Sequence, residues 1–201
     1  AYILAFLCAG QQSYHATDDL LTELGCPREG VEEFWYRGRG WPGMATAVSK
    51  GGEQFQCSYE ESWGKILGRK IHFRCKLCPD GIGDFADLVC GDAWHAPKGA
   101  ASFEERPGES LFLARNPLGQ RLIETAIQNG YLQTSPFDLK ELEQVQAYQK
   151  GRRLMIGARL LAVRLRGRWT PRYRHFGIVR KMLRSNWIRL VKEFRGTWRR
   201  T

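Results

Sequence analysis

Two cysteines three positions apart, Cys75 and Cys78, lie in the stretch FRCKLCPDG at residues 73–81. A C-x-x-C turn can direct two thiolates to the same side of a loop, and both zinc ions and iron–sulfur clusters use this spacing. A thioredoxin-type redox pair normally opens a helix, whereas Pro79-Asp80-Gly81 predicts a turn. The loop alone therefore leaves open a metal centre, a redox pair or two structural thiols.

The chain has 6 cysteines, and the remaining four are Cys8, Cys26, Cys57 and Cys90. Three disulfides would suit a secreted protein, but the apolar opening AYILAFLCAG lacks the basic region and cleavage pattern of a signal peptide. No apolar run approaches the ~20 residues that span a bilayer. We therefore predict reduced thiols and a cytoplasmic location. We expect Cys26 and Cys57 to be small core residues.

The order of the predicted elements indicates an α/β fold, in which a mixed sheet is flanked by helices and turns. The opening residues to Leu7 are expected to form a buried strand. A helix follows, with Thr17 as its N-cap and Gly25 at its end. Alternating aromatic and polar residues between glycine turns then predict three strands, at about 33–37, 44–49 and 53–58.

A short helix in ESWGKILGRKIHF leads into the cysteine loop. The strands FADLVCGDAW and SLFLARNP and the helix GQRLIETAIQNG come after it. From Asp138 the pattern is helical, Pro171 interrupts it, and a final amphipathic helix is predicted over residues 176–200. We divide the chain into a body, residues 1–150, and a basic helical tail, residues 151–201.

The positive charge of the chain is concentrated in the tail. The net charge is +10, but residues 151–201 hold 16 Lys and Arg against the single acid Glu193, which leaves residues 1–150 mildly acidic. Arginines interleaved with apolar residues suit either a helix that packs on the body or one that contacts an anionic surface. We favour packing, which still allows peripheral contact with a membrane. No RNA-binding module is recognisable, so we predict no nucleic-acid partner.

Five stretches that follow one another along the chain carry a family resemblance. Together they resemble the C-terminal domain of the coenzyme F420 hydrogenase/dehydrogenase beta-subunit family, over roughly residues 2–150. The resemblance implies an oxidoreductase that moves electrons between a flavin, or the deazaflavin coenzyme F420, and an iron–sulfur cluster, together with a redox partner protein or subunit. The stretches are FLCAG, YRGRGWPG, SYEESWG, FRCKLCPDGIGDFADLVCGDAW and LARNPLGQRLIETAIQNG.

The resemblance also implies ligands for a four-iron four-sulfur cluster. The family's FC.G cysteine falls on Cys8, and its C..C.D pair falls on Cys75 and Cys78. The fourth ligand would come from a motif upstream of Ala1, so we expect the chain to begin inside a longer protein. Cys90 falls at a position where the family commonly has a non-ligand, and we interpret it as a buried thiol.

For the flavin, FAD or F420 itself, the resemblance offers candidate contacts but no assigned catalytic residue. Gly91, Asp92 and Trp94 follow a buried strand and could line the site, and Ser62 could do likewise. Arg115 could meet a phosphate. Core, turn or surface roles would also explain each of these residues. The alternative function is a non-catalytic binding domain stabilised by zinc at Cys75 and Cys78, with the basic tail contacting a partner or a membrane.

Overall fold

Two small sheets organise the body of the protein. The computed structural model describes residues 1–96, 101–145 and 147–201. In the first sheet, strand β5 (Leu88–Asp92) lies in the centre, parallel to β1 (Leu4–Phe6) and antiparallel to β6 (Ser110–Ala114). The parallel pairing brings the carboxyl ends of β1 and β5 to the same edge of this sheet.

The second sheet is an antiparallel meander of three strands, close to the predicted positions. Its order is β2 (Val31–Trp35), β3 (Ala45–Ser49) and β4 (Gln54–Cys57). The chain then forms a π-helical turn at Glu60–Ile66 and a 3-10 turn at Leu67–Arg69, where the sequence predicted a short helix. The mixed α/β fold class is confirmed.

Helix α1 (Tyr14–Glu23) covers the second sheet, but its N-cap differs from the prediction. Ser13 caps the helix, because its hydroxyl accepts a hydrogen bond from the backbone N–H of Ala16 at 3.3 Å. Thr17, the predicted cap, lies inside the first turn, where its hydroxyl hydrogen-bonds Tyr36 at 2.8 Å. The capping role was therefore assigned to the wrong residue of two with similar chemistry.

Strand β1 is found where it was predicted, but the prediction that it is buried is wrong. Leu4 and Phe6 are 61% and 68% exposed, because β1 pairs on one side only and forms an edge of its sheet. Main-chain contacts hold it in place. The backbone N–H of Ile3 donates to a carboxylate oxygen of Asp87 at 2.7 Å.

The remaining helices surround the cysteine loop and continue into the tail. They are α2 (Phe73–Lys76), α3 (Pro117–Gln128), α4 (Leu142–Val145), α5 (Ala147–Leu165), α6 (Ile178–Leu183) and α7 (Trp187–Arg200). Ile156 and Val163 of α5 form a core cluster with Leu77 of the cysteine loop. The division of the chain after residue 150 falls inside α5 and stays a prediction.

The single helix predicted over residues 176–200 is two helices. Asn186 begins α7, since its side-chain oxygen accepts the backbone N–H groups of Ile188 and Arg189. Ser185 donates its hydroxyl back to the carbonyl oxygen of Lys181 at the end of α6. These polar side chains compete with the helical hydrogen bonds and break the amphipathic pattern. Within the described residues, no helix is both long and apolar enough to cross a membrane.

Candidate functional site

The cysteine loop is a short helix followed by a tight turn. Helix α2 holds Cys75, whose sulfur accepts the backbone N–H of Gln11 at 3.3 Å. The thiol of Cys78 points to the carbonyl oxygen of Asp80 at 3.4 Å. The Asp80 carboxylate accepts the backbone N–H of Asp84 at 3.0 Å and closes the turn. Both predicted loop cysteines are therefore held by main-chain contacts, and both are only partly buried.

The segment that follows β1 runs along this loop and brings Cys8 to it. The backbone N–H of Cys8 donates to the carbonyl oxygen of Gly81 at 2.8 Å. Gly10 has a φ of +123°, and a Cβ atom there would lie 3.3 Å from the Cβ atom of Cys75. This close approach needs glycine both for its backbone conformation and for the space. The structure therefore brings together the two segments that carry Cys8, Cys75 and Cys78.

Helix α5 fastens these two segments to each other. The side-chain amide of Gln149 donates to the carbonyl oxygens of Cys8, at 2.9 Å, and Gly81, at 3.0 Å. The Arg152 guanidinium donates to the carbonyl oxygens of Cys8, at 3.0 Å, and Ala9. We call this group of contacts the α5 clamp.

Two further arginines of α5 complete the clamp. Arg153 donates to the carbonyl oxygen of Pro79 at 3.2 Å and forms an ion pair with Asp84. Arg159 donates to the carbonyl oxygen of Lys76 at 2.9 Å. The sequence interpretation did not single these residues out. Positions 149, 152, 153 and 159 carried a usable signal, because spacings of three, four and seven place residues on one helix face.

The electrostatic environment of the loop is positive. Burial lowers the pKa of Lys76, and the nearby guanidinium groups of Arg200 and Arg159 lower it further. Burial also lowers the pKa of Arg153, while the Asp80 carboxylate acts in the opposite direction. This concentration of positive charge complements a negatively charged group, such as a centre ligated by several thiolates.

The donor atoms of the loop suit a thiolate-ligated metal centre, as judged by chemistry and placement. Three cysteines from two adjoining segments present soft sulfur ligands, and Cys75 already accepts a backbone N–H bond of the kind that supports such ligands. Among the described residues, no three Cys, His, Asp or Glu side chains converge closely enough to hold a single ion. The loop therefore offers the right ligand type without forming a ready-made single-ion site.

The other three cysteines lie elsewhere and have structural surroundings. Cys26 is buried in a core cluster with Leu21 and Ala47, as predicted. Cys57 ends β4, where burial and then the charge of Glu61 raise the pKa of its thiol. Cys90 lies within β5, and burial raises the pKa of its thiol as well. A raised pKa opposes thiolate formation and therefore metal ligation.

A second candidate site lies at the end of β5. The Asp92 carboxylate accepts two hydrogen bonds from the Arg37 guanidinium, at 2.7 and 3.1 Å, and one from the Trp41 indole N–H at 3.3 Å. The Trp41 and Trp94 rings stack with their centroids 4.6 Å apart. The motifs YRGRGWPG and GDAW, distant in the sequence, therefore meet at one place.

An open cavity of about 370 Å³ adjoins these aromatic rings, within the size range of small-molecule sites. Its wall includes Trp41, Trp94, His95, Arg106, Glu109 and Phe137. Behind Trp94, the Tyr59 and Phe103 rings lie 5.4 and 5.0 Å from the Trp94 ring. We call this region the tryptophan pocket.

The remaining predicted contacts lie outside the lining of this pocket. The Ser62 hydroxyl is buried and donates to the carbonyl oxygens of Ser58 and Tyr59 inside the π-helical turn. Arg115 donates to the carbonyl oxygen of Ile82 at 2.7 Å, close to the cysteine loop. Gly91 provides space, because a Cβ atom there would lie 2.5 Å from a methyl carbon of Leu7.

The tryptophan pocket and the cysteine loop open from the same edge of the first sheet. Cys8 follows the carboxyl end of β1, and Asp92 is the last residue of the parallel strand β5. Ligand sites commonly form at this edge of parallel strands. Tyr148 of α5 lies near both sites. Burial is the main cause that raises its pKa, and the nearby Tyr59 and Cys8 also raise it.

Comparisons with known proteins agree with this geometry. In a search of the solved structures, the chain matches a chain of the F420-reducing NiFe hydrogenase complex from Methanosarcina barkeri with a TM-score of 0.51 and 15% identity. The match covers 80% of this chain and 51% of that one, so this chain spans about half the length of the solved relative. At this identity the likeness concerns the fold. None of the curated proteins matches the chain.

The sequence itself matches a family model over most of its length. That model describes the C terminus of the beta subunit of coenzyme F420 hydrogenase/dehydrogenase, and it matches residues 1–140. The matched region contains both candidate sites, whereas α5, α6 and α7 lie beyond it. The resemblance inferred from the motifs is confirmed: the chain belongs to the coenzyme F420 hydrogenase/dehydrogenase beta-subunit family.

Proposed function

We propose that this chain is a redox domain that passes electrons between a flavin, either FAD or coenzyme F420, and a four-iron four-sulfur cluster. Its family consists of hydrogenase and dehydrogenase subunits, which are oxidoreductases. One observation carries the proposal: the Cys8 segment is hydrogen-bonded to the Cys75–Gly81 loop, beside the tryptophan pocket at the same sheet edge. An electron-transfer domain needs its two redox sites next to each other.

Cys8, Cys75 and Cys78 would hold the cluster. Its ligands bind separate iron atoms and therefore lie farther apart than the ligands of one zinc ion. The described cysteines are adjacent but do not converge on a single point, which supports a cluster over zinc. The α5 clamp fixes the carbonyl oxygens around Cys8, and its arginines offset the negative charge of the thiolates.

The tryptophan pocket would hold the ring of the flavin. Trp41 and Trp94 supply an apolar aromatic wall, while Arg106 and His95 supply polar groups at the cavity lining. Arg37 and Asp92 neutralise each other and fix the Trp41 indole through its N–H. A bound flavin supplies two-electron chemistry and a bound cluster one-electron transfer. The protein's own part is to position both groups and to shield them from water.

We also propose a redox partner protein or subunit and a reducing, cytoplasmic location. The solved relative is part of a hydrogenase complex, and unpaired cysteines in this chain suit a reducing compartment. The chain spans only about half of that relative, so further parts of the electron path would lie on other polypeptide.

Metal and flavin analysis of variants tests the proposal. After purification without oxygen and reconstitution with iron and sulfide, we expect about four irons per chain. Cys75→Ser and Cys78→Ser should lose most of this iron, whereas the control Cys57→Ser should retain it. Trp94→Leu should lower bound flavin while keeping the iron. A zinc-containing protein without iron or flavin would contradict the proposal and support the zinc-stabilised binding domain.

A further inference from the structure

Helices α6 and α7 present an apolar surface to solvent. Val179 and Leu183 of α6 are 66% and 78% exposed, and Trp187 and Ile188 of α7 are 71% and 62% exposed. Val179 and Leu183 are four residues apart, as are Trp187 and Val191, and this spacing places each pair on one helix face. We call these five residues, with Val191, the α6–α7 face. Large apolar side chains grouped in this way mark a surface that contacts something else.

Contacts with α5 hold this face outward. The Ser185 hydroxyl, between the two helices, bonds the carbonyl oxygen of Leu154 at 3.3 Å. Glu193 of α7 pairs with Arg159 of α5 at 2.9 Å, and Thr197 is buried. The opposite sides of the helices are therefore anchored on the protein, so the apolar residues cannot turn inward without breaking these contacts.

Positive charge flanks the apolar residues. Arg180, Arg184 and Arg195 are exposed, and none of them takes part in the ion pairs of the described residues. The only acid in residues 151–201, Glu193, is already paired. The face therefore combines an apolar ridge with positive charge that no acidic side chain of the tail balances.

We propose that the α6–α7 face docks on a membrane surface that contains anionic phospholipids. Interfacial helices combine apolar residues, often including Trp, with Lys and Arg that reach the headgroups. The 14 residues of α7 are too few to cross the hydrocarbon layer, so the helix would lie in the plane of the interface. The basic surface complements anionic headgroups, and the apolar ridge would enter the acyl boundary.

Vesicle binding by the full chain tests this docking. We expect sedimentation with vesicles of phosphatidylcholine mixed with phosphatidylglycerol, and much weaker sedimentation with phosphatidylcholine alone. Arg180→Gln and Arg184→Gln should each lower the partition coefficient about fivefold. Leu183→Ser combined with Trp187→Ser should lower it about tenfold or more. The matched control, Leu139→Ser, changes an exposed apolar residue outside the tail and should bind like the unaltered chain.

A fluorescence measurement covers the case in which the polar double variant fails to fold. Trp187→Phe should keep vesicle binding but lose most of the blue shift that binding produces in the unaltered chain. Equal binding to both vesicle types would overturn the proposal. So would unchanged binding of a folded Leu183→Ser, Trp187→Ser variant, because the attraction would then be purely electrostatic and would fit an acidic protein partner instead.

Discussion

Substitution of Gln149 by alanine should destabilise the protein through the α5 clamp. The side-chain amide donates to the carbonyl oxygens of Cys8 and Gly81, and both oxygens keep another donor when it is removed. The cost is therefore two hydrogen bonds of about 1 kcal/mol each, without new unpaired groups. Lost methylene burial adds about 1 kcal/mol. Removal of the buried Gln149 Oε1, which has no partner among the described residues, returns about 1 kcal/mol.

The net expectation is a loss of about 2 kcal/mol in the free energy of unfolding, measured by urea denaturation. Gln144→Ala, at an exposed position of α4, is the control and should change it by less than about 0.5 kcal/mol. Gly81→Ala tests the same contact from the other side, because a Cβ atom there would overlap the Gln149 side-chain oxygen and lie 2.7 Å from the Arg152 guanidinium.

Gly81→Ala should therefore be destabilising in the unaltered chain and milder in the Gln149→Ala background, with a coupling of about 1 kcal/mol. Simple additivity of the two substitutions would refute the clamp, since each would then act independently. An effect of Gln149→Ala no larger than that of Gln144→Ala would refute it equally.

Three further substitutions test the packing of the first sheet and the tail helix. Gly119→Ala should cost about 3 kcal/mol in a urea titration, because its Cβ atom would overlap the main-chain oxygen of Asp87. Gly151→Ala meets nothing within 4 Å and should gain about 0.5–1 kcal/mol from helix propensity; shifts of the same sign for both would contradict this packing. Hydrogen bonds from Asn116 and the Ile3 N–H lower the pKa of Asp87, so its carboxylate stabilises the fold at neutral pH and loses this effect as pH falls below the usual Asp range. The melting temperature of Asp87→Asn should therefore approach that of the unaltered chain in acid, and a constant difference from neutral pH to acid would count against this role.

Local patterns in the sequence were sufficient for the loop and the strands. The C-x-x-C spacing and Pro79-Asp80-Gly81 predicted a turn carrying two thiols, and this turn is present because its hydrogen bonds join near neighbours. The three strands of the second sheet follow from alternation between glycine turns, with errors of one or two residues at their ends. Asp92 and Trp94 were placed correctly at the end of a buried strand.

Contacts between distant residues could not be predicted in this way. The partners of Arg152 and Gln149 lie 144 and 141 positions away at Cys8, and no local pattern specifies them. A run of arginines indicated only an excess of charge, whereas four polar side chains of α5 bind main-chain oxygens of the body. The meeting of Arg37 and Trp41 with Asp92 is of the same kind, because it depends on how the two sheets pack together.

The errors at element ends came from competition between similar groups. Ser13 and Thr17 are both good caps, and the choice between them depends on where the chain leaves the preceding segment. Asn186 was included in a helix because the apolar pattern continues across it, although its side chain caps the next helix. The exposure of β1 depends on its place at the edge of the sheet, which strand composition does not determine.

The visible absorption spectrum of the chain, purified without oxygen and reconstituted with iron and sulfide, tests the proposed redox centre most directly. We predict broad absorbance near ~400 nm that bleaches on reduction with dithionite. This absorbance should be absent from a Cys75→Ser, Cys78→Ser double variant and present in Cys57→Ser. A colourless protein after reconstitution, or a colour that survives the loss of both loop cysteines, would contradict an iron–sulfur centre held by this loop.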